Sequence, residues 1–375
     1  MFPTLTDYAK ASHLRAPKPA QLREQHITVA GGNCPTPAGT ATQMFYPDEE
    51  QMDSEAVYAM APGASQLMVI GQGCNEDQDL LDAAASVLTG NGARPSASIE
   101  SNSWQLPLGD VPAATVHAIA LRAAAEGVGL YFASGDTPDL TVTDSDPYVT
   151  AVGGTTLGLG VKNNRLFETG WSDDFAALEN GKWTDIGVSG GGGGTSLVYG
   201  QPGYQKGVVP ASLSQVKAGT RTVTDRAVPD LAADGDPDSG LLTGYIASGS
   251  ATHPGPYQTE VNAGTSLATP LIAGLVADAQ QGQRSPFGFI NPVLYRLAGT
   301  AAFHDILPVT AAAPQQDRAA YEAGGDGFST GIDVFDTQGG RTGTHLVTAR
   351  GYDTMTGVGT PNGAAFIAGL RRVAG

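Results

Sequence analysis

Gly264-Thr265-Ser266-Leu267-Ala268-Thr269-Pro270, running on into the apolar stretch Leu271–Ala277, is the part of the chain whose reading decides the rest. Glycine marks a sharp turn, and the residues behind it read as a buried helix. Thr265 or Ser266 can cap that helix, and Pro270 is tolerable in the first turn, where no intrahelical N–H is needed. A serine so placed holds its hydroxyl and its own N–H at the positive end of the helix. An acyl-transfer nucleophile uses that placement, because the oxyanion forms beside unpaired backbone donors. Gly-Thr-Ser by itself is an ordinary N-cap, so a catalytic reading needs a base and an oxyanion partner elsewhere.

A chain of 375 residues is long enough for one large α/β domain with a deep core. Charged residues are 15% of the chain, against about 25% in average proteins. The 51 glycines gather at turns and in one run, as in a tightly looped globular protein. A formal net charge of −17 argues against nucleic acid as a partner and disfavours anionic membrane surfaces. Acid reduces that charge and its self-repulsion, which permits work at low pH without proving it. No run of eighteen apolar residues is present, so no membrane-spanning helix is expected. Residues Met1 to Leu14 lack the basic-then-apolar pattern of a secretory signal. Cys34 and Cys74 fit no metal-ligand spacing; they can form one disulfide, worth at most about 4 kcal/mol, or remain two thiols.

Taken in order, residues 1–40 read as short helix and loop, anchored by Leu5, Tyr8 and Leu14. Met52, Ala56, Ala59 and Met60 recur at helical spacing over 49–60, and Pro62-Gly63 stops that helix. Strands follow over 65–70, 96–101 and 128–133, alternating with helices over 77–88 and 111–126. That alternation predicts βαβ crossovers and a mostly parallel sheet with helices on both faces. Function in such sheets gathers at the carboxyl ends of strands, where Ser103-Trp104 and Gly135-Asp136 fall. Beyond Tyr148 the chain turns to short strands, then to the run Gly190–Gly194. Glycine there lets another backbone approach closely, as an extended peptide substrate requires.

The base is the deciding question. None of the six histidines, His13, His26, His117, His253, His304 and His345, is followed by glycine, as a histidine opening the helix of a Ser-His-Asp hydrolase would be. Carboxylates do better. Glu49 and Asp53 stand four apart on one helix face, close enough to share a proton. Two carboxyls that cannot both ionise have pKa values pushed apart, giving one base and one proton holder. Asp48, Glu49, Glu50, Asp53 and Glu55 taken alone also suit a solvated acidic face.

The ordered set resembles the sedolisin family, the serine-carboxyl peptidases of subtilisin-like fold. The resemblance rests on Glu49, Asp53 and Glu55 followed by Pro62-Gly63, on Ala133-Ser134-Gly135-Asp136, and on Gly264-Thr265-Ser266 with Pro270. Val228-Pro229-Asp230 and Asn291-Pro292-Val293-Leu294-Tyr295 add to it, so that it covers most of the chain. It implies a subtilisin-like, doubly wound α/β fold in a single catalytic domain over 1–375. It implies an acid-active endopeptidase in which Glu49 takes the proton of Ser266, Asp53 orients Glu49, and a protonated Asp136 joins the Ser266 N–H at the oxyanion. Ser103 and Trp104 would bind an extended peptide on one side, and Gly190, Gly191 and Gly192 on the other. The resemblance further implies one structural Ca2+ within 300–375, held by Asp305, Ile306, Ala349, Gly351 and Asp353. Proteins or peptides are the expected partners, with a monomeric, secreted enzyme as the setting.

Two departures from the family pattern stand out. The family's domain opens with a strand and helix, after a prosegment, ahead of the region matching Leu5 to Leu14; neither is expected in this chain, and a sheet edge would then lie open. Thr137-Pro138-Asp139 follows Asp136 where a small, Gly-rich continuation is usual. The rival readings are a catalytically inactive relative that binds peptide or protein, and a neutral subtilisin-like peptidase with a histidine base.

Overall fold

The structure, a computed structural model, describes residues 1–28, 47–73, 75–90, 92, 94–137, 139–179, 182–246, 255–308, 331–335, 346 and 348–374. Cys34, Cys74, His253 and His345 lie outside the described residues.

The chain begins with α1 (Phe2–Ala11), β1 (Leu22–Thr28), α2 (Pro47–Met60), β2 (Gln66–Gln72), α3 (Glu76–Thr89) and β3 (Ile99–Asn102). Next come α4 (Ala113–Glu126), β4 (Gly129–Ala133), β5 (Thr150–Leu159), β6 (Arg165–Gly170), β7 (Ser172–Glu179), β8 (Lys182–Gly190) and β9 (Gly194–Gly200). After them lie α5 (Ala211–Ser214), β10 (Gln215–Ala218), β11 (Arg221–Val228), β12 (Leu231–Asp234), β13 (Leu241–Ile246) and β14 (Tyr257–Asn262). The chain closes with α6 (Thr265–Gln280), α7 (Asn291–Leu297), β15 (Phe303–His304), β16 (Gly331–Phe335), β17 (Thr360–Pro361) and α8 (Gly363–Ala374).

The central sheet runs β12-β5-β4-β3, every neighbouring pair parallel, with β6 antiparallel on β5. β4 explains why helices cover both faces. All five of its residues, Gly129 to Ala133, are buried, as a strand sandwiched between layers must be. Its alternation sends Tyr131 into one core with Ala268 and Ile272 of α6, Leu294 of α7 and Phe366 of α8. Leu130 and Phe132 point the other way, into a second core with Leu88 of α3 and Ala120 and Ala123 of α4. The doubly wound, mostly parallel arrangement expected from the alternating elements is thus present.

Helix α2 lies against α6, and the small residues of both allow it. Met52 and Ala56 pack on Leu267, while a Cβ built on Gly274 would stand 2.8 Å from the Met60 Cβ and 3.1 Å from the Val57 carbonyl. Only glycine permits that approach, which brings the acidic turn of α2 beside the N-terminus of α6.

The N-terminal segment is more ordered than its sequence suggests. Residues 22–28 form β1, paired in parallel with β2 from Leu22↔Gln66 to Thr28↔Gln72. Arg23, Glu24, Gln25 and His26 are all exposed, so this strand carries no apolar alternation to announce it. Among the described residues β1 and β2 pair only with each other, apart from the larger sheet. Between β2 and β3 lies a groove of about 1750 Å³, lined by residues that include Met68, Ile70, Ile99, Glu49, Ser103 and Ser266.

Candidate active site

The site is built where α2, the end of β3, the end of β4 and the start of α6 converge. The start of α6 differs from its sequence reading. Gly264 is the N-cap, at φ 90°, and no side chain caps the helix. Thr265 is therefore the first helical residue and Pro270 lies inside the helix rather than in its first turn. Gly264 has two reasons to be glycine. Its φ lies in the left-handed region, and a Cβ there would stand 2.7 Å from Asp136 Oδ2.

Thr265 is occupied with fixing Asp136. Its N–H and its hydroxyl both donate to Asp136 Oδ1, at 2.7 and 2.8 Å, and its Oγ1 accepts from the Gly135 N–H at 3.0 Å. The β4 end is thereby fastened to the helix N-terminus, with one Asp136 oxygen spent and the other uncommitted. Burial raises the Asp136 carboxyl above its ordinary value, against the two Thr265 hydrogen bonds, which lower it. The residue as a whole remains exposed, while one carboxyl oxygen is held by Thr265.

Glu49 and Asp53 reach the same place from α2. Burial pushes the Glu49 carboxyl up to about 7; the nearby Ser266 hydroxyl opposes that shift, and Asp136 and Glu50 add to it. Glu49 Oε1 is buried without a hydrogen-bond partner, available to take a proton. Asp53 is pushed well above the carboxylate range by burial first and by Glu49 second, with the Ser103 hydroxyl opposing. The pair thus meets the requirement of one carboxyl that holds its proton and a neighbour that can accept one.

Ser266 is half-buried, and its Oγ donates to the Ser103 carbonyl at 3.3 Å, a long bond that leaves the hydroxyl free to turn. Ser103 Oγ lies 2.7 Å from Asp53 Oδ1 and 3.0 Å from the Ser266 carbonyl. Trp104 is different. Its ring meets Phe132 edge-on at 4.9 Å and packs into the apolar core under α3 and α4, so its side chain is a wall and not a polar contact. Among the described residues no histidine lines the groove beside Ser266. His117 lies 2.8 Å from Asp146 Oδ2 and stacks on Tyr199.

The glycine run sits against the β4 end. Gly190, Gly191 and Gly192 are buried, and their N–H groups donate to the carbonyls of Asp136, Trp171 and Gly135 at 3.0, 3.1 and 2.6 Å. A Cβ on Gly192 would stand 2.0 Å from the Ser134 carbonyl oxygen, and one on Gly193 2.2 Å from that of Thr354. The backbone that approaches is the protein's own. These glycines hold the β4 end, and with it Asp136, in place.

The C-terminal residues expected to bind calcium come together in part. The Gly351 N–H donates to Asp305 Oδ1 at 2.8 Å, and the Ala349 N–H to Asp353 Oδ2 at 2.9 Å. Asp353 is fully buried and also accepts from the N–H groups of Met355 and Thr356. Burial pushes its carboxyl up to about 7, and among the described residues no cationic side chain pairs with it. Ile306 is buried beside Asp305. The Asp305 and Asp353 carboxylates are oxygen donors of the kind a hard cation takes, and here each accepts backbone N–H groups. Among the described residues no group of three or more His, Cys, Asp or Glu side chains converges.

Several functional contacts had no sequence signal. Nothing in the spacing indicates that Thr265 would engage Asp136, or that Ser103 would bridge Asp53 and Ser266; both depend on elements more than 100 residues apart meeting in the fold.

Comparison with known proteins adds to this geometry. A family model described as the subtilase family matches residues 38–320. Kumamolisin of Bacillus sp. (strain MN-32) is 33% identical over 279 residues, covering 69% of this chain and 44% of that protein. Tripeptidyl-peptidase 1 of Homo sapiens is 28% identical over 267 residues, covering 66% of this chain and 38% of that one. In structure the chain is similar to a Pseudomonas sedolisin, a serine-carboxyl proteinase solved with two molecules of pseudo-iodotyrostatin. That match has a TM-score of 0.67 at 22% identity and covers 100% of this chain and 89% of the other. The chain spans about two-fifths of the length of these curated relatives.

Proposed function

The chain belongs to the subtilase family, in its sedolisin branch, and from that premise we propose that it hydrolyses peptide bonds in acid through an acyl-enzyme on Ser266. The observation that carries the reading is a carboxylate, Glu49, packed beside the hydroxyl of a serine that opens a buried helix. Glu49 accepts the Ser266 proton as Oγ attacks the scissile carbonyl, and returns it to the leaving amine. Asp53, one turn along the same helix, stays protonated, so that Glu49 is the carboxyl left to accept a proton. The oxyanion forms against the Ser266 N–H and the Asp136 oxygen that Thr265 leaves uncommitted, which donates when protonated. Water then attacks the acyl-enzyme, with Glu49 again as base.

Ser103 and Trp104 would flank an extended peptide on one side, with Gly190, Gly191 and Gly192 on the other. The activity we infer is that of an endopeptidase, acting on internal segments of a polypeptide. Asp305 and Asp353, with the carbonyls of Ile306, Ala349 and Gly351, would hold Ca2+, whose chemistry there is to neutralise buried charge and tie two loops. The setting is extracellular and the protein a monomer. Hydrolysis of a denatured protein at pH 4 tests the reading. Wild-type protein should cleave and Ser266→Ala should not; equal rates would favour a binding protein without catalysis.

A further inference from the structure

Pro270 leaves the nucleophile's backbone short of a partner. In an α-helix the carbonyl of residue 266 meets the N–H of residue 270, and proline has none. That carbonyl is not left orphaned, because Ser103 Oγ lies 3.0 Å from it. The contact is reciprocal: the Ser266 hydroxyl donates in turn to the Ser103 carbonyl at 3.3 Å. The same Ser103 hydroxyl is 2.7 Å from Asp53 Oδ1.

We propose that Ser103 is a positioning residue whose hydroxyl replaces the amide hydrogen that Pro270 lacks, tying the backbone of Ser266 to Asp53. A count of hydrogens supports the direction of the chain. One hydroxyl hydrogen cannot serve both the Asp53 carboxylate and the Ser266 carbonyl. With Asp53 protonated, Asp53 donates to Ser103 Oγ, Ser103 donates to the Ser266 carbonyl, and each acceptor is met once. Burial and the neighbouring Glu49 and Glu50 favour that protonated form. The helix interior thus carries a proline at the one place where the missing N–H opens a port for a side chain from β3's end. Removing Ser103 leaves a carbonyl unpaired and lets the nucleophile's turn drift, while removing Pro270 gives the carbonyl back its helical partner.

The catalytic consequence rests on the proposed function, but the clamp does not, so a thermal double-mutant cycle separates them. Ser103→Ala should lower Tm by about 3 °C, the scale expected for one unmet buried hydrogen bond in a domain of this size. Pro270→Ala placed in that background should recover most of the loss, and Ser103→Thr should keep the wild-type Tm. Additive effects of Ser103→Ala and Pro270→Ala, or a Ser103→Thr protein as unstable as Ser103→Ala, would overturn the clamp. In the peptidase assay Ser103→Ala should lower kcat about tenfold, and Ser103→Thr should restore it; an unchanged kcat would overturn the positioning role. A wild-type protein inactive on every peptide would defeat the peptidase reading instead, with the thermal cycle still deciding the clamp.

Discussion

At the scale of single residues, activity depends on which side chain can take a proton from Ser266. Glu49 and Asp53 are legible in the sequence because an i,i+4 spacing dictates a shared helix face whatever the fold. Asp136 is legible only as a carboxylate at a strand end; its tie to Thr265 depends on α6 starting one residue earlier than a Thr265 cap, and two earlier than a Ser266 cap, would place it. Gly264 is the residue that sets this start. Gly264→Ala is expected to fail twice, through its φ of 90° and through the 2.7 Å approach to Asp136 Oδ2. Displacing Asp136 by an ångström should cost roughly 100-fold in kcat/KM. Steady-state kinetics beside circular dichroism checks this, and a fully active, stable Gly264→Ala protein would refute it.

Elements matter next, because the site is only as fixed as the strands and helices beneath it. β11 and β12 are joined through Arg226 and Asp230, both fully buried and paired at 2.8 Å. Asp230 also accepts from the Ala151 N–H, from Asn291 at 3.0 Å and from the Tyr295 hydroxyl at 2.9 Å, linking the sheet to α7. Asp230→Ala would leave the Arg226 charge buried and alone, so the expected loss is about 3–5 kcal/mol in urea unfolding. A loss near zero would mean that water replaces the carboxylate. The sequence marks Asp230 and Asn291-Pro292 as family-like segments but cannot reveal that they meet, since the partners come from three separate elements. β1 was illegible for a different reason, its exposed polar run. The paired loops around Asp305 and Asp353 carry a further expectation: chelating calcium should lower Tm, and readding it should restore Tm, whereas no response would exclude a structural ion there.

For the whole molecule, buried carboxyls set the pH at which the fold is most secure. Burial pushes Glu55, Glu100, Asp144 and Asp234 each up to about 8. Each binds its proton more tightly folded than unfolded, so its contribution is complete below ordinary carboxyl values and is lost as pH rises toward 8. The net charge of −17 at neutrality adds to the same trend. Tm should therefore be higher at pH 5 than at pH 8, and the reverse order would contradict this account of the core. The alternation of strands and helices made the doubly wound sheet readable, since its two helix layers follow from periodicity. The separation of β1-β2 from the central sheet was not readable, because strand order is a property of long-range pairing. Catalysis should follow the same acidic bias. The active form needs Glu49 ionised and Asp136 protonated, and its population peaks midway between their two values, whichever is higher. Loss of the Asp136 proton sets the alkaline limb, whereas a histidine base keeps its activity as pH rises. The most direct measurement is kcat/KM on one peptide from pH 3 to 9, for wild-type protein and Glu49→Gln. A maximum below neutrality, with Glu49→Gln slower by roughly 10⁴-fold, is the predicted result. A maximum at pH 8 that Glu49→Gln leaves intact would contradict a carboxyl base.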